Sequence, residues 1–321
     1  MYFMNPIAAL LFLYQFEQFT LWTARYNKTY YIESNIKEKY TNWRENAKYI
    51  NKHNSQHSDF KLELNKFADI GQEWKIRSGH NKHMQQQVFN SPAEKRVLSG
   101  LPSAIDWRMD DIVTGVKNQQ QCGSCWAFSA VGSMEGQHAK TTGQLISLSE
   151  SQIVDCDING TDQGCLGGLM DGAFKYVIKQ GGIESEKVYP YIPEDDPCTF
   201  QKNKVVATFS GYKDVTGGEA GLQEAVAQIG PISVAIDASN PSFQFYKSGV
   251  YYDKDCSSTE LDHGVLVVGY NTTSTGADYW VVKNSWGESW GQNGYIYMSR
   301  NCNNNCGIAT QPSYPISTST M

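Results

Sequence analysis

The chain has 321 residues, of which 40% are hydrophobic and 19% are charged, so it can bury a sizeable core. This composition excludes a disordered or fibrous protein, and its dispersed basic residues argue against nucleic-acid binding. The formal net charge of −6 is divided unevenly. Residues 1–97 carry 14 Lys and Arg against 9 Asp and Glu, whereas the remainder carries 13 against 24. We expect the two oppositely charged parts to attract each other.

An apolar run at residues 7–14 is long enough for the core of a signal peptide and too short to span a bilayer. No basic flank precedes the run, and no clear small-residue cleavage site follows it. Two interpretations therefore stay open: residues 1–15 are a signal-peptide remnant, or they form a buried apolar start to the first helix. Neither interpretation predicts a membrane span.

The segment from residue 16 to about residue 54 has helical periodicity, and its apolar face predicts an amphipathic helix. That face is formed by Tyr40, Trp43, Ala47, Ile50 and Asn54. A short alternating stretch follows at residues 60–64. Residues 77–99 are polar with little periodicity, which predicts an extended, cleavable connector.

After residue 101 the first half of the chain is mainly helical and the second half mainly strand. An apolar stripe after Cys125 predicts a buried helix that begins at or beside this cysteine. Runs bounded by Gly, Asn and Pro predict strands at residues 232–236, 263–270, 278–285 and 295–299. Helices followed by strands favour an α+β fold with a seam between two subdomains.

Eight cysteines are many for a cytosolic enzyme. The glycosylation sequons at Asn27, Asn159 and Asn271 also favour the secretory route. We therefore expect a disulfide-containing glycoprotein of the lysosome, the vacuole or the extracellular space.

The segment Gln119-Gln-Gln-Cys-Gly-Ser-Cys-Trp-Ala-Phe-Ser129 contains the candidate nucleophile, Cys125. The start of a helix supplies partial positive charge and free N–H groups, which favour a thiolate. The alternative is that Cys122 and Cys125 form a redox or zinc pair. A second cysteine pair for zinc and a βαβ context for redox chemistry are both missing. The sequence thus predicts neither a metal nor a cofactor.

A thiolate needs a base, and after residue 97 the only histidines are His138 and His263. His138 lies on the apolar stripe of the helix that begins at Cys125, about 20 Å along that helix, which favours a structural role. His263 opens an apolar strand and is the predicted base. An orienting group is also required. A hairpin pairing Tyr270 with Asp278 would place Ser285 opposite His263, and a register shift of one would place Asn284 there instead.

Together these blocks resemble the papain and cathepsin family, and especially its cathepsin L group. The blocks that carry the resemblance are the Gln119–Ser129 segment, Asp262-His263-Gly264, Asn284-Ser285-Trp286-Gly287, and the upstream patterns Trp43-x2-Asn46-x3-Ile50-x3-Asn54 and Asn65-x-Phe67-x-Asp69. The resemblance implies a two-subdomain papain-like fold with a helical half and a β-barrel-like half. It also implies an inhibitory prosegment at residues 16–97, before a peptidase domain at residues 98–321.

For the site, the resemblance implies a Cys125-His263-Asn284 cysteine endopeptidase in which Gln119 and the Cys125 N–H stabilise the oxyanion. Trp286 would shield the bond between Asn284 and His263. Gly167 and Gly168 would pair with the substrate backbone. The resemblance also implies a pocket for the substrate residue two before the cut, and this pocket should prefer a hydrophobic side chain. It is formed by Met170, Ala235, Leu261, Gly264 and Gln311. The implied disulfides are Cys122–Cys165, Cys156–Cys198 and Cys256–Cys306, with Cys302 unpaired.

The implied partners are protein and peptide substrates, the chain's own prosegment and cystatin-like inhibitors, with a monomer as the expected state. One departure from the family pattern lies beside the oxyanion residue, where Gln120 replaces a glycine. Two rival interpretations are a catalytically silent homologue, which usually lacks the nucleophile or the base, and a Cys-dependent peptide ligase. An added amine nucleophile would distinguish the ligase.

Overall fold

The computed structural model describes residues 6–56, 59–71, 100–158 and 162–318, and the predicted connector at residues 77–99 lies outside them. The N-terminal region forms helices α1 (Pro6–Arg25) and α2 (Glu33–Ser55), followed by strand β1 (Phe60–Leu62). The prediction of one continuous helix from residue 16 to 54 is therefore wrong. The chain leaves the helix after Arg25, and both Lys28 and Tyr30 hydrogen-bond to Asp69.

The apolar run at residues 7–14 is helical, as part of α1, but the prediction that it is buried is wrong for the side chains that the structure describes. Leu10 is 67% exposed and Leu13 is 63% exposed. Residues 1–5 lie outside the described residues, and a signal peptide remains a prediction.

The peptidase region contains both predicted halves. Its helices are α3 (Cys125–Thr142), α4 (Glu150–Cys156), α5 (Met170–Gln180), α6 (Gly218–Gln228) and α7 (Pro241–Gln244). Its strands are β2 (Ile105–Asp106), β3 (Ile183–Glu184), β4 (Val205–Ala207), β5 (Phe209–Asp214), β6 (Ile232–Ile236), β7 (Tyr246–Tyr251), β8 (His263–Thr272), β9 (Asp278–Lys283), β10 (Tyr295–Ser299) and β11 (Ser313–Ser317). The α+β, two-part organisation agrees with the expectation.

The main sheet has the order β1-β7-β10-β9-β8-β6-β11-β5, with β2 paired to β8, and β3 and β4 form a separate two-stranded sheet. Neighbouring strands are antiparallel except β7 and β10, which are parallel. Helix α3 is buried from Cys125 to Ala139, so it is a central helix and not an amphipathic surface helix. It contacts β8, β6 and β11 on one side and α4 and α5 on another. The seam between the halves therefore runs along α3.

The hairpin that carries the base has a different register from the predicted one. Thr272 pairs with Asp278 and Tyr270 pairs with Trp280, so the expected pairing of Tyr270 with Asp278 is wrong. An irregularity between Val267 and Gly269 shifts the register by one residue in the part of the hairpin nearer the seam. His263 faces Ile236 on β6, and neither Ser285 nor Asn284 is its strand partner.

Candidate active site

Cys125 is the first residue of α3 and is fully buried. The loop before it is fixed by the Cys122–Cys165 disulfide and by a hydrogen bond from Gly123 N to Cys165 O at 2.9 Å. The 18-residue helix directs its unpaired N–H groups toward the cysteine end. This setting stabilises a negative charge on sulfur.

His263 is the first residue of β8 and is also fully buried. The next residue, Gly264, donates its backbone N–H to Cys125 Sγ at 3.3 Å. A Cβ on Gly264 would lie 3.0 Å from Cys125 O, so a glycine permits β8 to approach the start of α3. The structure thus brings the predicted nucleophile and base together. His138 lies near the far end of α3, and burial lowers its pKa.

Asn284 reaches His263 even though it lies one residue beyond the end of β9. Its Oδ1 lies 2.8 Å from His263 Nε2 and also accepts a hydrogen bond from Ser285 N at 2.8 Å. An amide oxygen accepts hydrogen bonds, so His263 Nε2 carries the proton in this contact. The Trp286 ring stacks on His263 with centroids 4.8 Å apart. Asn284 and Trp286 together fix the orientation of the imidazole.

Gln119 is held on both sides of its amide. Its Oε1 accepts from Ser285 Oγ at 2.7 Å, and its Nε2 donates to Cys122 O at 3.0 Å. Its backbone N–H donates to Ser285 O at 2.8 Å. An amide nitrogen has two hydrogens, so one remains for an oxyanion next to Cys125. Ser285 was not singled out from the sequence as the residue that positions this glutamine.

A buried cluster of charges lies behind Asn284. Lys117 Nζ is 2.9 Å from Glu135 and 2.7 Å from Glu150, and Lys283 Nζ donates to Thr114, which bonds to Glu135. Burial raises the pKa of Glu150 to about 8 and lowers the pKa of Lys283 to about 8. Burial also opposes the ionisation of Glu135, but the two lysines more than offset it and lower its pKa. These groups connect residues from both halves across the seam.

Sequence reasoning missed this cluster, although a signal was present. Lys283 directly follows the apolar triplet at residues 280–282, and Glu135 directly follows Met134 on the stripe of α3. Charged residues are seldom fully buried unless they are paired.

The predicted substrate-binding residues include two adjacent glycines and a group of buried apolar side chains. Gly167 has φ of 122°, and a Cβ on Gly168 would lie 2.5 Å from the Trp126 ring, so both positions require glycine. Met170, Ala235 and Leu261 are buried in the hydrophobic cluster that contains Trp126. Gln311 is partly exposed and lies two residues before β11.

The disulfides are Cys122–Cys165, Cys156–Cys198 and Cys256–Cys306, which is the pairing that the resemblance implies. Cys302 is free and partly exposed. In the described part of the chain, no group of three or more His, Cys, Asp or Glu side chains is placed to hold a metal. No helix among these residues has the length and apolar character needed to cross a membrane.

The N-terminal region contacts one edge of this site. β1 pairs antiparallel with β7, with Phe60 opposite Gly249. Phe67 packs edge-on against the Trp286 ring at 5.5 Å between centroids, and Lys66 Nζ donates to Trp286 O. A cavity of about 460 Å³ remains between this segment and the loop that carries Gln119. The N-terminal region therefore reaches the ring that covers His263.

Known proteins share both parts of the chain. The sequence matches the family described as papain family cysteine protease over residues 101–316, and the cathepsin propeptide inhibitor domain (I29) over residues 19–73. It is 48% identical to procathepsin L of Rattus norvegicus over 285 residues, covering 85% of this chain and 84% of that protein. It is 46% identical to cathepsin L of Sarcophaga peregrina, covering 93% and 92%.

The fold is also similar to that of a solved zymogen. The structure of digestive procathepsin L 3 from the larval midgut of Tenebrio molitor matches with a TM-score of 0.84 and 39% identity. The match covers 94% of this chain and 98% of that chain.

Proposed function

Because the chain belongs to the papain family of cysteine proteases and includes a cathepsin propeptide inhibitor domain, we propose that its Cys125-His263-Asn284 site hydrolyses peptide bonds. The chain is a cathepsin L-like cysteine endopeptidase in zymogen form. Two contacts support this site most directly: His263 Nε2 bonds to Asn284, and the backbone N–H of the adjacent Gly264 donates to Cys125 Sγ at the buried start of α3.

In the proposed reaction the Cys125 thiolate attacks the scissile carbonyl carbon. The Cys125 N–H and the Gln119 amide stabilise the oxyanion that forms. His263, whose Nε2–H is held by Asn284, gives a proton from Nδ1 to the leaving amine. The same Nδ1 then takes a proton from the water that hydrolyses the acyl-enzyme, and the thiolate is released.

We assign residues 16–97 to an inhibitory prosegment and residues 98–321 to the peptidase domain. Strand addition of β1 to β7 and the packing of Phe67 on Trp286 support prosegment inhibition. The remaining partners are protein and peptide substrates, with cystatin-like inhibitors as further candidates and a monomer as the expected state. The disulfides favour a lysosomal, vacuolar or secreted enzyme.

The proposed pocket for the residue two before the cut favours Leu, Val or Phe, because Met170, Ala235 and Leu261 are buried apolar residues. Gln311 at its floor can hydrogen-bond an Arg of the substrate. It lacks the charge that would offset the desolvation of that Arg, which costs roughly a few kcal/mol. We expect weak tolerance of Arg, and a specificity profile in which Arg equals Leu would contradict this pocket assignment.

The experiment is hydrolysis of a fluorogenic dipeptide amide by the acid-activated chain, with and without a thiol-alkylating epoxide. We expect hydrolysis that the epoxide abolishes, and loss of hydrolysis and labelling in Cys125→Ser. Cys302→Ser is the matched control, because Cys302 is the other free cysteine in the described residues. Activity in Cys125→Ser would refute the site, and transfer to an added amine in preference to water would indicate the ligase.

A further inference from the structure

A buried carboxyl group lies directly against the glycine wall of the proposed substrate cleft. Asp162 is 3% exposed, and its Oδ1 accepts the backbone N–H of Leu169 at 2.7 Å. A Cβ on Gly168 would lie 2.7 Å from Asp162 Oδ1, and one on Gly172 would lie 1.8 Å from Oδ2. The carboxyl group therefore touches the backbone on both sides of Leu169. Any displacement of Asp162 would move the wall.

Asp162 does not stand alone, because the carboxyl group of Asp157, which follows α4, lies beside it and acts on its charge. Asp157 Oδ2 is buried, and no donor to it is present among the described residues. Two buried carboxylates at this separation repel each other when both are ionised, so the pair favours a form that shares one proton. Burial, with a contribution from Asp157, raises the pKa of Asp162 to about 8.

The charged groups around this pair come from helix α5. Lys175 faces Asp162 and Lys179 faces Asp157, and both favour the ionised form. The N-terminus of α5, which donates the Leu169 N–H, acts in the same direction. Tyr176 on the same helix also lies near Asp157. Burial outweighs these groups, since the pKa of both carboxyls is raised.

We propose that Asp162 is a positioning residue of the substrate cleft, which holds the Gly167–Gly168 wall in place while it shares one proton with Asp157. When that proton is lost, two adjacent buried carboxylates repel each other, and Asp162 moves away from Leu169 N. The raised pKa of Asp162 sets the direction, so the wall is ordered in acid and loosens as the pH rises toward about 8. This inference rests on the proposed peptidase function and concerns the binding of the substrate backbone.

The test measures KM and kcat of the acid-activated full chain on a fluorogenic dipeptide amide at about pH 5 and about pH 9, one unit above the pKa of Asp162. We expect the wild-type KM to rise roughly tenfold, because the fraction of Asp162 that keeps its proton falls by about that factor over this range. Asp162→Asn carries a permanent amide that can still accept from Leu169 N and donate to Asp157. Its KM should change less than about twofold over the same range.

Asp157→Asn is the second variant, because its amide can donate to the Asp162 carboxylate, and it should show the same flat KM. Asp214→Asn is the matched control, because Asp214 faces Asp171 in another carboxyl pair that involves α5. We expect this variant to keep the wild-type dependence of KM on pH. Epoxide titration counts the reactive Cys125 in every variant, so a failed peptidase assignment is seen separately. Parallel KM profiles in all four proteins, or a flat wild-type profile, would overturn the proposal.

Discussion

The active-site seam and the prosegment contact are built in different ways. At the seam, Cys125, His263, Asn284 and Gln119 are buried by elements that lie more than 100 residues apart in the chain, and each has a fixed polar partner. The prosegment instead adds the three-residue strand β1 to the sheet and packs aromatic rings on β7 and Trp286. The contacts of a buried seam open only when the whole domain unfolds, whereas an edge strand can dissociate from the sheet by local unfolding.

The charges differ between the two regions as well. The seam contains an ion pair that is largely shielded from water, because the side chain of Glu135 is 2% exposed and that of Lys117 is 19% exposed. Across the prosegment contact, the ion pair seen in the described residues joins Lys247 to Glu63, with 47% and 22% of their side chains exposed. Exposed pairs contribute little to stability. The prosegment is therefore suited to release, and five experiments test this contrast.

The largest effect is expected inside the seam, where Glu135→Gln leaves Lys117 without its main charged partner. Removing one member of a buried pair costs about 3–5 kcal/mol. Glu150→Gln should cost less than about 1 kcal/mol near pH 5, because burial raises the pKa of Glu150 to about 8 and the native group is protonated there. Urea unfolding of the full chain measures the free energy of unfolding of both variants. Equal losses of stability would contradict the assignment of the negative charge to Glu135 and of the proton to Glu150.

Glu150 also makes the free energy of unfolding depend on pH. Its folded pKa lies above the unfolded value, so its contribution to the free energy of unfolding is present below about pH 4.5 and is lost as the pH rises toward about 8. The stability of wild type relative to Glu150→Gln should fall between these limits. A constant difference would show that Glu150 is ionised in the folded state.

We expect Phe67→Ala to weaken the binding of the prosegment to the peptidase domain. Phe67→Ala removes the ring that packs on Trp286, and truncation of a buried aromatic at an interface costs about 2 kcal/mol, or roughly 30-fold. We expect the epoxide to label Cys125 in the intact zymogen faster by about that factor at neutral pH. Tyr31→Ala is the control, since Tyr31 is 90% exposed, and its labelling rate should match wild type.

Acid should release the prosegment and leave the seam intact. Residues 1–97 carry about +5 and the rest −11, and this attraction weakens when carboxylates protonate toward pH ~4. The prosegment histidines gain charge in acid and oppose the effect, but 24 Asp and Glu in the peptidase part outnumber them. In Cys125→Ser, which cannot process itself, the amides of β1 should exchange hydrogen faster in acid after correction for intrinsic rates. Unchanged protection of β1 would remove the electrostatic explanation.

The smallest effect is expected at the edge of the seam, where Gln120 has φ of 55°. This is the left-handed region, which glycine enters without the steric cost that other residues incur. Gln120→Gly should stabilise the protein by roughly 0.5–1 kcal/mol and leave hydrolysis unchanged. The neighbouring Gln121 lacks a positive φ, so Gln121→Gly should destabilise by a similar amount. A loss of stability in Gln120→Gly would contradict this account.

The sequence by itself determined the residue types of the site and the elements that carry them. The start of a helix at Cys125, the strand that begins at His263 and the strand at residues 232–236 follow from periodicity, and the structure has them at those positions. Asn284 was selected by its place in a short motif. These signals depend on neighbours within a few residues, so they can be recognised along the chain.

Only the tertiary structure decided how those elements meet. The register of β8 and β9 is set by packing on both faces and by an irregularity at Val268, so Asn284 reaches His263 from beyond its strand. The break between α1 and α2 accompanies the contacts of Lys28 and Tyr30 with Asp69, and the burial of Lys117, Glu135, Glu150 and Lys283 depends on partners far along the chain. Local periodicity carries no information on such pairings, because their free energy comes from groups that are brought together only by folding.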